Sequence, residues 1–438
     1  CYSPMYALYW GVMQLKYVTY GKKLEIKQVY DVIICGAGPS GVCAAITAAR
    51  NGRKTLLMEH SGCLGGDWTA RLLCIALDIN GKGGLVSEIY SELAHINAAE
   101  LVDETRYVYD PEMMKALLER LCTEAGVNML FHTEVIEAIR SSERVTAIVT
   151  AGRGGCQAFS AKVFLDCTGN GDLAACAGCS YEAGHPDSGQ LQPASLHALV
   201  TGIPDNYDFI FGEKECKYKF RELLKSIDIE PSYQTPLLFK LGCRDLWCMA
   251  IIHQYGVRFD SPLDITMATI NARKEIHQTV CALKTIPGWR NLRIVATSEQ
   301  LGLREGRRIK GLYKVTSDDL VEGKRHEDAV CLVKFPVDIH ALDKGYERAV
   351  YDGNIKSRPY NIPFGSLVSS ELENLGMAGR CISGDFYAHA SYRVTGNASA
   401  MGEALGYAAA VAVEEKKTLP EIDGRKITSY MKKMNYEL

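Results

Sequence analysis

Apolar and polar positions along this chain alternate between two rhythms. The run Tyr30-Asp31-Val32-Ile33-Ile34-Cys35 is almost continuously apolar, the pattern of a strand buried on both faces. It leads into Gly36-Ala37-Gly38-Pro39-Ser40-Gly41 and then into a small-residue helix ending at Arg50-Asn51-Gly52. A second apolar strand, 54–58, ends on Glu59. Further on, Asp110-Pro111 predicts a helix start, with the acid as cap and proline in the first turn, and Gly126 predicts its stop. Strand-like runs follow at 127–131, 133–139 and 145–150, with a turn at 141–143, and together they predict an antiparallel meander. The run from Ala161 to Asp166 predicts a return to the main sheet. A strand is expected over 192–200, a long amphipathic helix over 265–283, and an Ala- and Gly-rich helix over 396–413. Alternation at Leu15-Lys16-Tyr17-Val18-Thr19-Tyr20 predicts a strand or hairpin in an N-terminal extension, 1–24.

The first βαβ unit carries the clearest chemistry. Gly36 suits a tight turn, Gly38 a close approach of backbone to a pyrophosphate, and Gly41 close packing of helix on strand. The helix start beyond them offers unpaired N–H groups and a positive dipole end to phosphates. Glu59 lies 18 residues beyond Gly41, near the roughly 20-residue spacing of a ribose-binding acid. Strand, turn, helix, strand and acid in this order predict dinucleotide binding.

Three further segments settle which dinucleotide is expected. Glu59 and His60 lead into Ser61-Gly62-Cys63-Leu64-Gly65-Gly66-Asp67-Trp68-Thr69, which resembles the G-x-x-G-G segment of FAD-dependent oxidoreductases of the glutathione-reductase-like class. Asp166-Cys167-Thr168-Gly169-Asn170-Gly171-Asp172 is similar to the A-T-G-x-G-D motif of these flavoproteins. The stretch 374–385, ending Ser383-Gly384-Asp385, resembles their late strand, whose Gly-Asp holds the ribityl chain and pyrophosphate. The resemblance spans nearly all of 25–438 and is nearest to FAD-dependent oxidoreductases related to the fumarate reductase flavoproteins. It implies FAD as cofactor. It implies an α/β fold: a Rossmann-like FAD-binding domain, with parallel sheet and antiparallel meander, and an inserted α+β substrate domain. The halves of the FAD domain are expected at 25–180 and 361–438, and the substrate domain at 181–360. In the family, Val135 would lie by the adenine, and Asn397, Ala398 and Met401 would sit on a helix whose N-terminus faces the flavin. A helix dipole there suits the negative charge of a reduced flavin.

Composition narrows the field. A length of 438 residues predicts more than one core. A net charge of −3 offers no basic footprint for nucleic acid, and no stretch reads as a membrane span. Several of the 16 cysteines, Cys35, Cys43, Cys122, Cys167 and Cys381 among them, lie in apolar elements as small core residues. Cys63 and Cys74 are too far apart for the C-x4-C pair of a disulfide reductase. Cys176 and Cys179 lack a second pair at zinc spacing, so structural thiols and no metal site are expected. A reduced cytoplasm is the expected compartment, with an exported form left open because the chain begins on Cys1.

Candidates for the reaction are charged groups that reach the flavin. Leu301-Gly302-Leu303-Arg304-Glu305-Gly306-Arg307-Arg308 places three arginines within five residues, and on a helix Arg304 and Arg308 would share a face. The family carries a similar run beside the cofactor, which favours a guanidinium clamp over a solvated patch. His389 and Arg393 follow Asp385 and precede the flavin-facing helix. The expectation is hydride transfer between FAD and a small polar or anionic molecule, with Arg393 and Arg304 binding its charge and His389 moving the proton. His197, on the 192–200 strand, faces either flavin or core. Cys63 is a weaker candidate for thiol chemistry. Two other readings remain at this level: a thiol- or RNA-modifying flavoprotein, and a chain that binds FAD for structure or electron transfer to a partner protein. Oligomeric state, substrate and re-oxidant stay open.

Overall fold

The computed structural model describes residues 17–207, 214–242, 245–345 and 349–438. The predicted extension falls mostly outside these residues; within them, Tyr17–Tyr20 forms an antiparallel hairpin with the start of Lys22–Cys35.

Five strands run parallel in the central sheet: Asn128–Leu130, Thr55–Met58, Lys22–Cys35, the second half of Gly155–Asp166, and Leu375–Met377. Val32, Ile33, Ile34, Phe164, Leu165 and Leu375 along them have no accessible surface. The first half of Gly155–Asp166 pairs antiparallel with Arg144–Gly152, which pairs with Thr133–Ser141. The meander therefore begins at Thr133. The run expected at 127–131 is not part of it; its strand joins the parallel sheet beside Thr55–Met58. The reason is local: His132, with φ of 50°, turns the chain between the two strands.

Helices cover the sheet. Pro39–Arg50 crosses Thr395–Glu415, the observed form of the Ala- and Gly-rich helix. Pro111–Glu124 starts as predicted, with the Asp110 carboxylate accepting the Glu112 N–H at 2.9 Å, a cap that satisfies an otherwise orphaned donor.

A second core gathers residues between Ala194 and Leu301. It lies between a four-stranded antiparallel sheet (Leu237–Lys240, Trp247–Ala250, Ala198–Thr201, Arg293–Thr297) and the helix Pro262–Leu283, whose Ala268, Ala272, Ile276 and Leu283 face inward. The expected strand at 192–200 is regular only at its end; Ala194 and Ser195 make isolated bridges to Gln254 and Gly302. Residues Ile309 to Leu342, within the segment expected to form the substrate domain, pack instead into the core of the central sheet. A three-stranded sheet (Ile75–Leu77, Arg106–Tyr109, Ala99–Asp103) joins the two parts: Ile75 and Val108 meet Leu199, Phe239 and Cys248.

Candidate active site

The carboxyl ends of the parallel strands open into a cleft of about 830 Å³, where open α/β sheets place their ligands. Gly36, with φ of 90°, makes the turn at its floor, and a Cβ there would strike the Cys167 backbone. Gly41 packs against the Gly36 carbonyl, whereas a Cβ on Gly38 would meet nothing within 4 Å. The backbone at Gly38 thus borders open space beside a helix N-terminus, the cradle a diphosphate needs.

Glu59 sits at the end of Thr55–Met58 and reaches back over the turn. Its carboxylate accepts the Ala37 N–H at 2.7 Å and the Ser61 N–H at 2.9 Å. Burial pushes this carboxyl up, but the His60 ring at 3.0 Å and the two N–H donors outweigh it and hold it at about 2. It stays ionised, with lone pairs left for ribose hydroxyls.

A second chamber of about 850 Å³ adjoins the cleft. Asp67, Arg71, Leu303, Arg380, Arg393 and Thr395 line both. Three guanidiniums therefore stand at the junction, and Arg304 lines the second chamber just beyond. Arg71 donates to Asp67 at 2.9 Å, and Arg393 donates to the Asp338 carboxylate at 3.1 Å. Arg304 donates to the Ser195 hydroxyl at 2.8 Å. Burial, with Arg71 beside it, draws Arg380 down to about 10, and burial with Arg393 does the same for Arg304. Four cations face two carboxylates here. Buried atoms Arg71 Nε, Arg380 Nη1 and Arg393 Nε also lack partners. An anionic cofactor and an anionic substrate would complete such a site.

Of the residues expected to hold FAD, Gly36, Gly38, Pro39, Ser40, Glu59, His60, Gly66, Asp67, Val135, Thr168, Gly169, Asp172 and Ala398 line the cleft. Gly65 makes the left-handed turn before the single helical turn Gly66–Trp68, and Trp68 points into the core. Asn397 and Met401, in the first two turns of Thr395–Glu415, are also fully buried. Gly384 and Asp385 lie elsewhere. The late strand ends at Met377, so the chain enters the cleft at Gly379 and Arg380. Asp385 instead caps Phe386–Tyr392, accepting from Ala388 at 2.7 Å, and accepts from Ser317 at 2.7 Å.

The reacting groups divide similarly. Arg393 and Arg304 reach the chambers; His389 does not. Its ring is 1% exposed, neither nitrogen has a partner, and burial with Arg308, Arg393 and Arg380 nearby keeps it well below the usual imidazole range. It is buried and lines neither chamber. The three arginines of 304–308 fan apart because the segment is irregular, not helical: Arg307 donates to Asp172 at 2.9 Å, and Arg308 is buried against Glu305. His197 faces the second chamber, its Nδ1 3.1 Å from the Arg71 carbonyl, and burial lowers it to about 4. The Cys63 thiol is 3.7 Å from the Thr69 hydroxyl, pushed up by burial. Sequence reasoning missed Arg71, Arg380, Asp338, His253 and His340, which come from four separate segments. Among the described residues no cluster of metal-ligating side chains and no helix long and apolar enough to cross a membrane is present.

Comparison with known proteins places this architecture. The model of the FAD dependent oxidoreductase family matches residues 31–431. A stretch of 41 residues is 51% identical to the digeranylgeranylglycerophospholipid reductase of Methanocaldococcus jannaschii, covering 9% of this chain and 10% of that protein. The chain thus matches only a tenth of that relative's length. Among solved structures, a geranylgeranyl bacteriochlorophyll reductase-like protein from Thermoplasma acidophilum is similar at 14% identity, over 93% of this chain and 83% of that one, with a TM-score of 0.47. The p-nitrophenol 4-monooxygenase PnpA of Pseudomonas putida is similar at 10% identity, over 93% and 88%, with a TM-score of 0.49. With the family match running from the first strand of the dinucleotide turn into the C-terminal helix Gly424–Lys433, the chain belongs to the FAD-dependent oxidoreductases, and FAD is its cofactor.

Proposed function

We propose that this enzyme transfers a hydride between FAD and an organic anion held in the second chamber. One observation carries the reading: Arg71, Arg380 and Arg393 line both chambers, and Arg304 stands just inside the second. FAD, when bound, exchanges a hydride at its flavin ring. The turn at Gly36–Gly41, Glu59 and the strand at Val135 would hold its diphosphate, ribose and adenine, with Thr168, Gly169, Asp172 and Arg380 along the remaining wall. Arg393 and Arg304 would fix the substrate's negative group with planar forks of donors and set the reacting carbon over the junction. Asp338 holds Arg393 in place.

A second reading of the substrate rests on a different observation. Leu73, Ile75, Leu77, Leu237, Phe239 and Ile252 give the same chamber an apolar wall. That wall favours an acid with an apolar body over a small polar acid. The test is anaerobic: a panel of short dicarboxylates, hydroxy acids and long-chain acids is offered to the oxidised holoenzyme, and to the reduced one as acceptors. Spectral change with acids and none with their amides or neutral alcohols is the expected result. Change with neutral or cationic compounds alone would overturn the anion reading.

A further inference from the structure

Beyond the arginines, a file of hydrogen bonds leaves the substrate chamber through the second core. The Asp338 carboxylate, 28% exposed and facing the chamber, lies 3.3 Å from Nε2 of His340. Nδ1 of His340 lies 3.0 Å from Nε2 of His253, and Nδ1 of His253 lies 3.3 Å from the Tyr255 hydroxyl. His253 is 1% exposed, whereas Tyr255 is half-buried, next to exposed Gly256, and lines neither chamber. We propose that Tyr255, His253 and His340 form a proton relay that ends on Asp338 and serves the substrate chamber. This rests on the reading of that chamber as the substrate site.

The direction of the bonds follows from the ends of the file. Arg393 donates to Asp338, and both histidine and arginine neighbours hold its carboxyl well below the usual range against the opposing effect of burial. An ionised carboxylate only accepts, so Nε2 of His340 carries a proton. Burial, and then Arg304, keep His340 down at about 4 despite Asp338, so its Nδ1 is a bare lone pair. Nε2 of His253 must then donate to it. Burial, Arg304, His340 and His197 keep His253 neutral as well, which leaves its Nδ1 to accept from Tyr255. Tyr233, its ring 4.1 Å from that of His253 and 5.8 Å from that of His340, closes the remaining side without a charge. Around Tyr255 the charged groups are Arg304, Asp343 and Glu275.

Every donor thus points toward the chamber. In an inward shift the Tyr255 proton moves to His253 Nδ1, the His253 Nε2 proton to His340 Nδ1, and the His340 Nε2 proton to Asp338. Water reprotonates the tyrosinate, and Asp338 gives its proton to the substrate and returns to carboxylate. One proton crosses and no electrons move. The opposite half of the redox cycle releases a proton in the same chamber and drives the shift backward, restoring both tautomers. Asp338 is the group that would touch substrate; His340, His253 and Tyr255 act through it.

The test is ring-nitrogen NMR of holoenzyme labelled with ¹⁵N-histidine. At pH 7 both His253 and His340 are expected as neutral Nε2–H tautomers, and an Nδ1–H tautomer or an imidazolium at His253 would overturn the relay. Transfer into deuterated water then reads the path itself. Tyr255→Phe is expected to slow exchange of the His253 ring proton at least tenfold while leaving the histidine spectrum and Tm in place. Unchanged exchange in a folded Tyr255→Phe protein would defeat the proposal. With a substrate from the acid panel, the same variant is expected to lose about tenfold in kcat at unchanged KM, within the range of proton-transfer catalysis. Ring exchange needs no substrate, so a failure of the anion reading leaves the relay decided on its own.

Discussion

Gly402 lies directly against the backbone carbonyl of Ser40, with no room for a Cβ between them. The helices Pro39–Arg50 and Thr395–Glu415 therefore meet backbone to backbone, and Gly406 repeats the contact at Ala44 one turn on. This crossing fixes two helix N-termini on the same cleft: Pro39 and Ser40 line it from one helix, Thr395 and Ala398 from the other. Gly402→Val would force the helices apart. Overpacking of this kind costs about 1–3 kcal/mol. A lowered Tm together with weaker FAD retention is expected, and a loss of Tm with unchanged FAD affinity would show that the two N-termini are positioned independently.

Glu59 ties the strand end to the turn through Ala37 and Ser61, so its charge couples folding to pH. Its carboxyl is held at about 2 against an ordinary 4.5. The unfolded chain takes up the proton first, so the stabilisation is complete above pH 4.5 and is lost as pH falls toward 2. Denaturant unfolding of Glu59→Gln should show a shallower decline across that window than the parent. FAD affinity should fall at least tenfold at pH 7, because the amide presents one acceptor oxygen where the carboxylate presents two. Parallel acid limbs for the two proteins would mean that other groups carry the pH dependence.

The parts legible in the sequence are those whose geometry is local. Gly36 to Glu59 sits within one βαβ unit, and strand, turn and acid spacing are set by neighbouring residues alone, so cleft residues there were readable. Asp110 capping Pro111–Glu124 is readable for the same reason. The junction is different. Arg71, Arg380, the Asp338–His340 stretch and His253 are far apart in the chain and meet only in the folded protein, where the four-stranded sheet packs on the three-stranded one through Ile75, Val108, Leu199 and Phe239. No spacing rule links them. Gly384-Asp385 misled because a Gly-Asp pair after a strand suits either a ligand or a helix cap, and the register of Leu375–Met377 decides between the two.

Arg393 stands between the chambers and anchors on Asp338. Arg393→Ala should leave FAD bound, because the turn, Glu59 and Arg380 remain, while kcat falls by on the order of a hundredfold as substrate charge and orientation are lost. Arg393→Lys restores a point charge without the planar fork and should recover only part of the rate. Stopped-flow spectra of flavin reduction check both, and equal activity of Arg393→Ala and parent would remove Arg393 from the site.

Cys63 follows the ribose acid closely, yet its thiol is buried beside Thr69 and raised above the ordinary thiol range. A raised thiol is a poor nucleophile. Cys63→Ser should therefore leave the rate of flavin reduction within about twofold of the parent. A fall of tenfold or more would restore thiol chemistry as part of the reaction.

His389 presents the sharpest contrast between position in the chain and position in space. It lies four residues before Arg393, yet its ring is enclosed by the core, with both nitrogens unpartnered and Arg308, Arg393 and Arg380 nearby. A buried polar ring without hydrogen bonds is unfavourable, so an apolar side chain of similar size should be tolerated or preferred. Its effect on acid stability has a definite sign. Because the folded ring resists protonation while the unfolded one takes a proton near pH 6.5, the parent loses stability as pH falls below that value. His389→Leu removes this component. Thermal unfolding at pH 7 and pH 5 should show an unchanged or higher Tm at pH 7 and a smaller drop between the two. Turnover should stay within about twofold of the parent, since the ring lies outside both chambers. A variant with intact fold but kcat reduced a hundredfold would return His389 to the reacting groups.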